Sequence, residues 1–131
     1  MNYLTCPLLS DEEIKILKEN LSSNDSDWED GKKTAGSLAS KVKNNLQLSR
    51  NSDSSKKNAD FIVKKLLTST LIKSFALPRK IHGIMFTKSS VGMRYGRHVD
   101  NAYMSSGRAD LSFSIFLNKK NSYEGGDLVI E

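Results

Sequence analysis

Apolar positions along the chain follow a helical rhythm before residue 78 and a strand rhythm after it. Ser10, followed three residues later by Glu13, predicts a capped helix start, with Ile14, Leu17 and Leu21 on one stripe. Ser22–Asp30 is rich in Ser, Asn and Asp and predicts a loop with Trp28 embedded in it. A second helix is expected over Ala35–Asn45, where Leu38 and Val42 stand four apart, and Gln47–Ser55 reads as a polar break. The strongest periodicity predicts a helix from Ala59 to Phe75. There Ile62, Val63, Leu66, Leu67, Thr70, Leu71 and Phe75 recur at three and four residues, and Pro78 stops the run.

Beyond Pro78 the pattern predicts a strand over Lys80–Phe86, a turn at Ser89–Gly92 and a short strand over Arg94–Asp100. Asp110–Asn118 alternates: Leu111, Phe113, Ile115 and Leu117 share one face, and Ser112, Ser114 and Phe116 the other. Gly125 and Gly126 predict a turn, and Asp127–Glu131 begins one more strand. Helices first and strands after imply an α+β layout, with helices covering one side of a largely antiparallel sheet. The apolar run Leu128-Val129-Ile130 would leave a sheet edge unpaired. The chain is therefore expected to stop inside its sheet, and a homo-oligomer formed through the open edge is a candidate assembly.

Composition narrows the class. The 131 residues are 37% hydrophobic and 27% charged, a mix that folds as one domain. With Cys6 as the single cysteine, an intrachain disulfide scaffold is excluded. No apolar run approaches the ~18–20 residues of a membrane span. Asp11, Glu12 and Glu13 arrive too early for a secretory signal, so a cytoplasmic protein without membrane contact is expected. The formal charge of +5 lies wholly in the second part of the chain. Nucleic acid or a small anion in a cleft could exploit it. No predicted helix presents a basic face, and aromatic residues do not interleave with the arginines, so nucleic acid ranks last among the partners.

The candidate chemistry lies in Met93–Asn101. His98 and Asp100 are two apart, and alternate side chains of a strand share a face. That spacing would bring an imidazole and a carboxylate to one point, two of the three ligands of a 2-His-1-carboxylate iron site. Taken alone, the spacing favours a hydrogen-bonded structural histidine.

The wider context is more specific. The runs Tyr95-Gly-Arg-His98-Val-Asp100-Asn101-Ala102, Arg108-Ala-Asp110-Leu-Ser112, Phe116-Leu-Asn118 and Tyr123-Glu-Gly-Gly-Asp-Leu-Val-Ile-Glu131 closely resemble the PKHD-type hydroxylases. These are bacterial relatives of prolyl 4-hydroxylases among the iron(II)- and 2-oxoglutarate-dependent dioxygenases. Trp28-Glu-Asp-Gly31, Thr34-Ala-Gly36 and Val42-Lys-Asn-Asn45-Leu-Gln-Leu48 are similar to that family's upstream signature. The resemblance spans most of residues 28–131.

What the resemblance implies is a double-stranded β-helix (jelly roll), incomplete here. Residues 1–77 would be a helical N-terminal part and residues 78–131 the first strands, with the C-terminal strands missing. His98 and Asp100 would be metal ligands for Fe(2+), and Tyr95 would lie near the pocket that binds the co-substrate 2-oxoglutarate. L-ascorbate is an optional further cofactor. The implied enzyme is an oxidoreductase that hydroxylates a small-molecule or peptide substrate, a peptidyl proline being the family's suggestion, while 2-oxoglutarate is decarboxylated to succinate. The Ser112/Ser114/Phe116 face could wall such a pocket or face solvent, and Arg108 with Asp110 reads as loop support. The family's second histidine and its oxoglutarate-binding arginine fall downstream of Glu131. His82 precedes the motif and is expected to be a core or surface histidine rather than a ligand. Arg79, Lys88, Arg94 and Arg97 could bind an anion, but none matches the family's oxoglutarate position. The alternative is a catalytically inactive fragment or binding module of the same fold.

Overall fold

A computed structural model describes residues 3–130. The first helix, α1, spans Asp11–Ser22. At its start the Glu13 N–H donates to Ser10 Oγ at 3.2 Å and the Ser10 N–H to Glu13 Oε2 at 3.0 Å, the reciprocal box expected from sequence. Leu17 and Leu21 of the predicted stripe are buried, and Lys65 forms an ion pair with Glu13 that ties α1 to the next helix.

That next helix, α2, covers Asp53–Thr68, and α3 covers Thr70–Ala76. The single helix predicted over 59–75 is therefore two, and it starts earlier. Ser69 divides them because its backbone is extended (φ −74°, ψ 114°). Its N–H closes α2 on Lys65 O while its Oγ accepts from the Ile72 N–H to open α3. A serine that can satisfy the first free amides of a helix prefers that role to a place inside one. The early start of α2 has the same cause, Ser52 Oγ accepting from the Ser55 N–H. Leu77, in the left-handed region at φ 44°, then ends α3 ahead of Pro78.

The strands are short and antiparallel. β1 (Trp28–Asp30), β3 (Leu46–Leu48) and β4 (Thr87–Lys88) form one sheet with β3 central, Trp28 facing Leu48 and Gln47 facing Thr87. β2 (Lys43–Asn44) pairs with β5 (Arg94–Tyr95), and β6 (Tyr103–Met104) with β7 (Gly107–Arg108). The architecture is α+β, with small antiparallel sheets. α1 and α2 pack through Leu17, Leu21, Ile62 and Leu66 onto Leu48 and Phe86 of the larger sheet's face, bordered by Trp28, Ile84, Ile115 and Leu117. No helix among the described residues is long and apolar enough to cross a membrane.

Several expectations are corrected. Ala35–Asn45 is not a helix: it holds a 3-10 turn, Ala39–Val42, followed by β2. Leu38 is 78% exposed, so the apparent stripe has nothing to bury against, whereas Lys43, Asn45 and Gln47 are buried at period two. The loop over Ser22–Asp30 ends in β1, and the break over Gln47–Ser55 overlaps the central strand β3. Lys80–Phe86 forms no ladder among the described residues; the Phe86 carbonyl joins the sheet, accepting from the Leu48 N–H at 2.9 Å. Arg94–Asp100 is a strand only at Arg94 and Tyr95.

Asp110–Asn118 forms no ladder among the described residues. Ile115 and Leu117 turn toward the core, while Leu111 and Phe113 stay half exposed. Residues 127–130 likewise run without pairing and leave Val129 75% exposed; the remainder of that predicted strand, Glu131, lies outside the described residues. Alternation makes a strand only where a neighbour can accept its hydrogen bonds, and these segments have none. The turns at Ser89–Gly92 and Gly125–Gly126 are present, with positive φ at Gly92, Gly125 and Gly126.

Candidate metal centre

The β2–β5 ladder positions the candidate site. Lys43 faces Tyr95 and Asn44 faces Arg94 in its register, and one step beyond, the Gly96 N–H donates to Val42 O at 2.8 Å. A Cβ at Gly96 would stand 3.0 Å from Val42 Cβ, so glycine permits this approach. The chain then leaves the strand, and His98 and Asp100 follow in irregular backbone rather than on the strand expected for them.

The two side chains nevertheless converge. His98 Nε2 lies 3.3 Å from Asp100 Oδ1, and His98 Nδ1 lies 2.8 Å from the Gly96 carbonyl. A carbonyl can only accept, so Nδ1 carries a proton and Nε2 is the nitrogen turned toward Asp100. A ring nitrogen and a carboxylate oxygen this close need a positive charge between them, either a proton or a metal cation. Cis ligands of an ion held at ~2.1 Å stand about 3 Å apart, so the pair fits the donor set of a divalent metal. No group of three or more His, Cys, Asp or Glu side chains able to hold a metal occurs among the described residues.

Tyr95 stands against this pair. Its ring stacks on the His98 imidazole with centroids 3.8 Å apart and planes 8° from parallel. Burial, with the charge of Asp100 added, pushes its phenol above the ordinary value. The Lys43 ammonium sits 5.0 Å from the Tyr95 ring centroid, within cation–π range. Lys43 is only 4% exposed. Burial first, then the charge of Arg50, pulls its amine below the usual lysine value, against the opposing effect of Asp30. Asn45 and Gln47 extend the polar row, and Gln47 Oε1 accepts from Thr34 Oγ1 at 2.6 Å. Asn45 Oδ1 is buried without a partner.

The other candidates separate from the site. The His82 ring nitrogens meet Ser106 Oγ at 2.5 Å and the Arg108 carbonyl at 3.1 Å, holding the β6–β7 hairpin. Arg108 Nε donates to Asp110 Oδ1 at 2.7 Å on the surface, as support for the loop. The Lys88 ammonium lies 4.7 Å from the Trp28 ring centroid, and Arg79 is exposed. Arg94 borders an open cleft of about 380 Å³ with Lys32, Lys41, Val42, Lys43, Asn44 and Gly92, and no carboxylate among the described residues lines it. Sequence reasoning did not single out Lys43 or Gly96. The alternate spacing of Lys43, Asn45 and Gln47 is the available signal, and it straddles the end of the expected helix and the start of the expected polar break.

An imidazole nitrogen and a carboxylate oxygen thus meet just beyond a short antiparallel ladder, and comparisons with known proteins say which class the chain belongs to. Curated PKHD-type hydroxylases match the entire chain: 66% identity for one from Prochlorococcus marinus strain MIT 9215, 55% for one from strain MIT 9313 and 52% for one from strain MIT 9303. The chain belongs to the PKHD-type hydroxylase family. It spans 59% of the length of these relatives. No protein-family model and no solved structure matches it.

Proposed function

We propose that the chain is the metal-presenting part of an iron(II)- and 2-oxoglutarate-dependent dioxygenase, with His98 and Asp100 as two of three protein ligands. The observation that carries the reading is the convergence of His98 Nε2 and Asp100 Oδ1 in a chain matched throughout by hydroxylases. In this reading the small sheets are the opening strands of a double-stranded β-helix, and the third ligand and the oxoglutarate-binding arginine belong to its later strands.

When bound, Fe(2+) supplies the redox chemistry that couples decarboxylation of 2-oxoglutarate to succinate and carbon dioxide with insertion of one dioxygen atom into a substrate C–H bond. The chain's own residues do simpler things. His98 offers the Nε2 lone pair because Gly96 O holds the proton on Nδ1. Asp100 contributes the negative charge that favours a divalent cation over a neutral occupant. Tyr95 closes one side of the imidazole and keeps water from that face. The substrate is a small molecule or a peptide, with peptidyl proline the first to assay.

A second reading, an inactive fragment or binding module, is favoured by the lack of any three-ligand group among the described residues. Succinate formation separates the two. A version extended to the length of the relatives is expected to release succinate from 2-oxoglutarate with Fe(2+) and L-ascorbate present, and His98→Ala to abolish it. Turnover indifferent to His98→Ala would sink the dioxygenase reading, and no turnover in the extended protein would favour the binding module.

A further inference from the structure

We propose that Tyr95, Gly96 and Lys43 form a positioning assembly that fixes the imidazole of His98 in the plane and tautomer a metal ligand needs. His98 lies outside any strand, so no ladder hydrogen bond aims its side chain. Three contacts do so instead. The Tyr95 ring lies parallel to the imidazole at 3.8 Å and fixes its plane. The Gly96 carbonyl, 2.8 Å from Nδ1, fixes rotation within that plane and the site of the proton. Gly96 is itself anchored, its N–H held by Val42 O at 2.8 Å and its missing Cβ allowing the approach.

Lys43 secures the ring. It sits opposite Tyr95 in the ladder, and its ammonium is over the aromatic face. A buried ammonium is costly unless something compensates it. Here the ring face and the field of Asp30 offset part of that cost, which gives the lysine and the tyrosine each a reason to stay in place. The stack uses the ring and not the hydroxyl, so the positioning role of Tyr95 is carried by its aromatic face acting on His98. Groups that orient a metal-bound histidine change affinity by about 10–100-fold when removed.

The metal half of this proposal rests on the dioxygenase reading; the imidazole half does not, and the experiment separates them. Long-range ¹H–¹⁵N spectra of the metal-free chain read the His98 tautomer and the ring-current shift of its carbon-bound protons. Co(2+) titration, followed by visible absorption, reads affinity. The wild type and Tyr95→Phe are expected to show one Nδ1–H tautomer with upfield-shifted imidazole protons. Tyr95→Leu is expected to lose both and to bind Co(2+) about ten-fold more weakly. Lys43→Met, which keeps the stem, is expected to weaken the upfield shift, and Lys43→Arg to restore it; this pair decides the matter should Tyr95→Leu fail to fold. A Tyr95→Leu chain that keeps the single tautomer, the shift and the affinity would overturn the proposal, as would a mixture of tautomers in the wild type. Absence of Co(2+) binding in a wild type with one shifted tautomer would count against the metal site and leave the positioning assembly standing.

Discussion

Gly31 is buried where a side chain has no room, since a Cβ there would meet Asn45 Oδ1 at 2.0 Å and the Asn45 carbonyl at 3.0 Å. The same residue donates its N–H to that carbonyl at 2.9 Å, so retreat would break a backbone bond. Gly31→Ala is expected to destabilise the chain by about 1–3 kcal/mol, as overpacking does, read from the shift of a urea midpoint. At this scale the sequence showed what is chemically distinctive and missed what is merely adjacent. His98 and Asp100 stood out because a histidine and an aspartate two apart form a recognisable donor pair. Lys43 and Gly96 did not, because their importance comes from partners such as Tyr95 and Val42 that lie some fifty residues away and meet only across a ladder.

Among elements, the best-read is α1, whose cap is local chemistry. Contact with Lys65, then the Ser10 N–H, holds the Glu13 carboxyl below its ordinary range. A lowered folded-state value means that this carboxylate stabilises the fold above its unfolded pKa, about 4.3, and stops doing so as pH falls through the folded value. Urea midpoints are expected to fall as the medium is acidified below about pH 5, and Glu13→Gln to flatten that part of the profile. An unchanged slope in the variant would remove Glu13 from the account. The worst-read element is β2. Leu38 and Val42 mimic a helical stripe, and the run from Lys43 to Gln47 places polar groups where a strand usually buries apolar ones. A buried polar row defeats hydropathy reasoning because that reasoning assigns buried faces to apolar residues. The split of the predicted 59–75 helix at Ser69 was legible in principle, since serine is a preferred cap, but the apolar spacing runs straight through it.

Over the whole molecule, order is unevenly distributed. α1, α2 and the β1–β3–β4 sheet share one core, while residues 110–130 carry alternating apolar side chains with no ladder to join. Their amides are expected to exchange with deuterium quickly, and those of α2 and β3 slowly, because protection follows hydrogen-bonded, buried backbone. Slow exchange in 110–130 would mean that the segment has found a partner strand. In a second copy, that partner would appear as concentration-dependent sedimentation; the open edge is the surface such pairing would use.

The ladder that joins Lys43 to Tyr95 also sets the order of events during folding. Its two strands are separated by about fifty residues that include α2, α3 and β4. Closing so long a loop costs entropy before any contact repays it, and distant pairings of this kind form late. A nascent or partly melted chain therefore has its imidazole and carboxylate close in sequence but unaimed. The two groups are therefore aimed only after the middle of the polypeptide has been wound up, which makes their convergence a readout of the closed ladder.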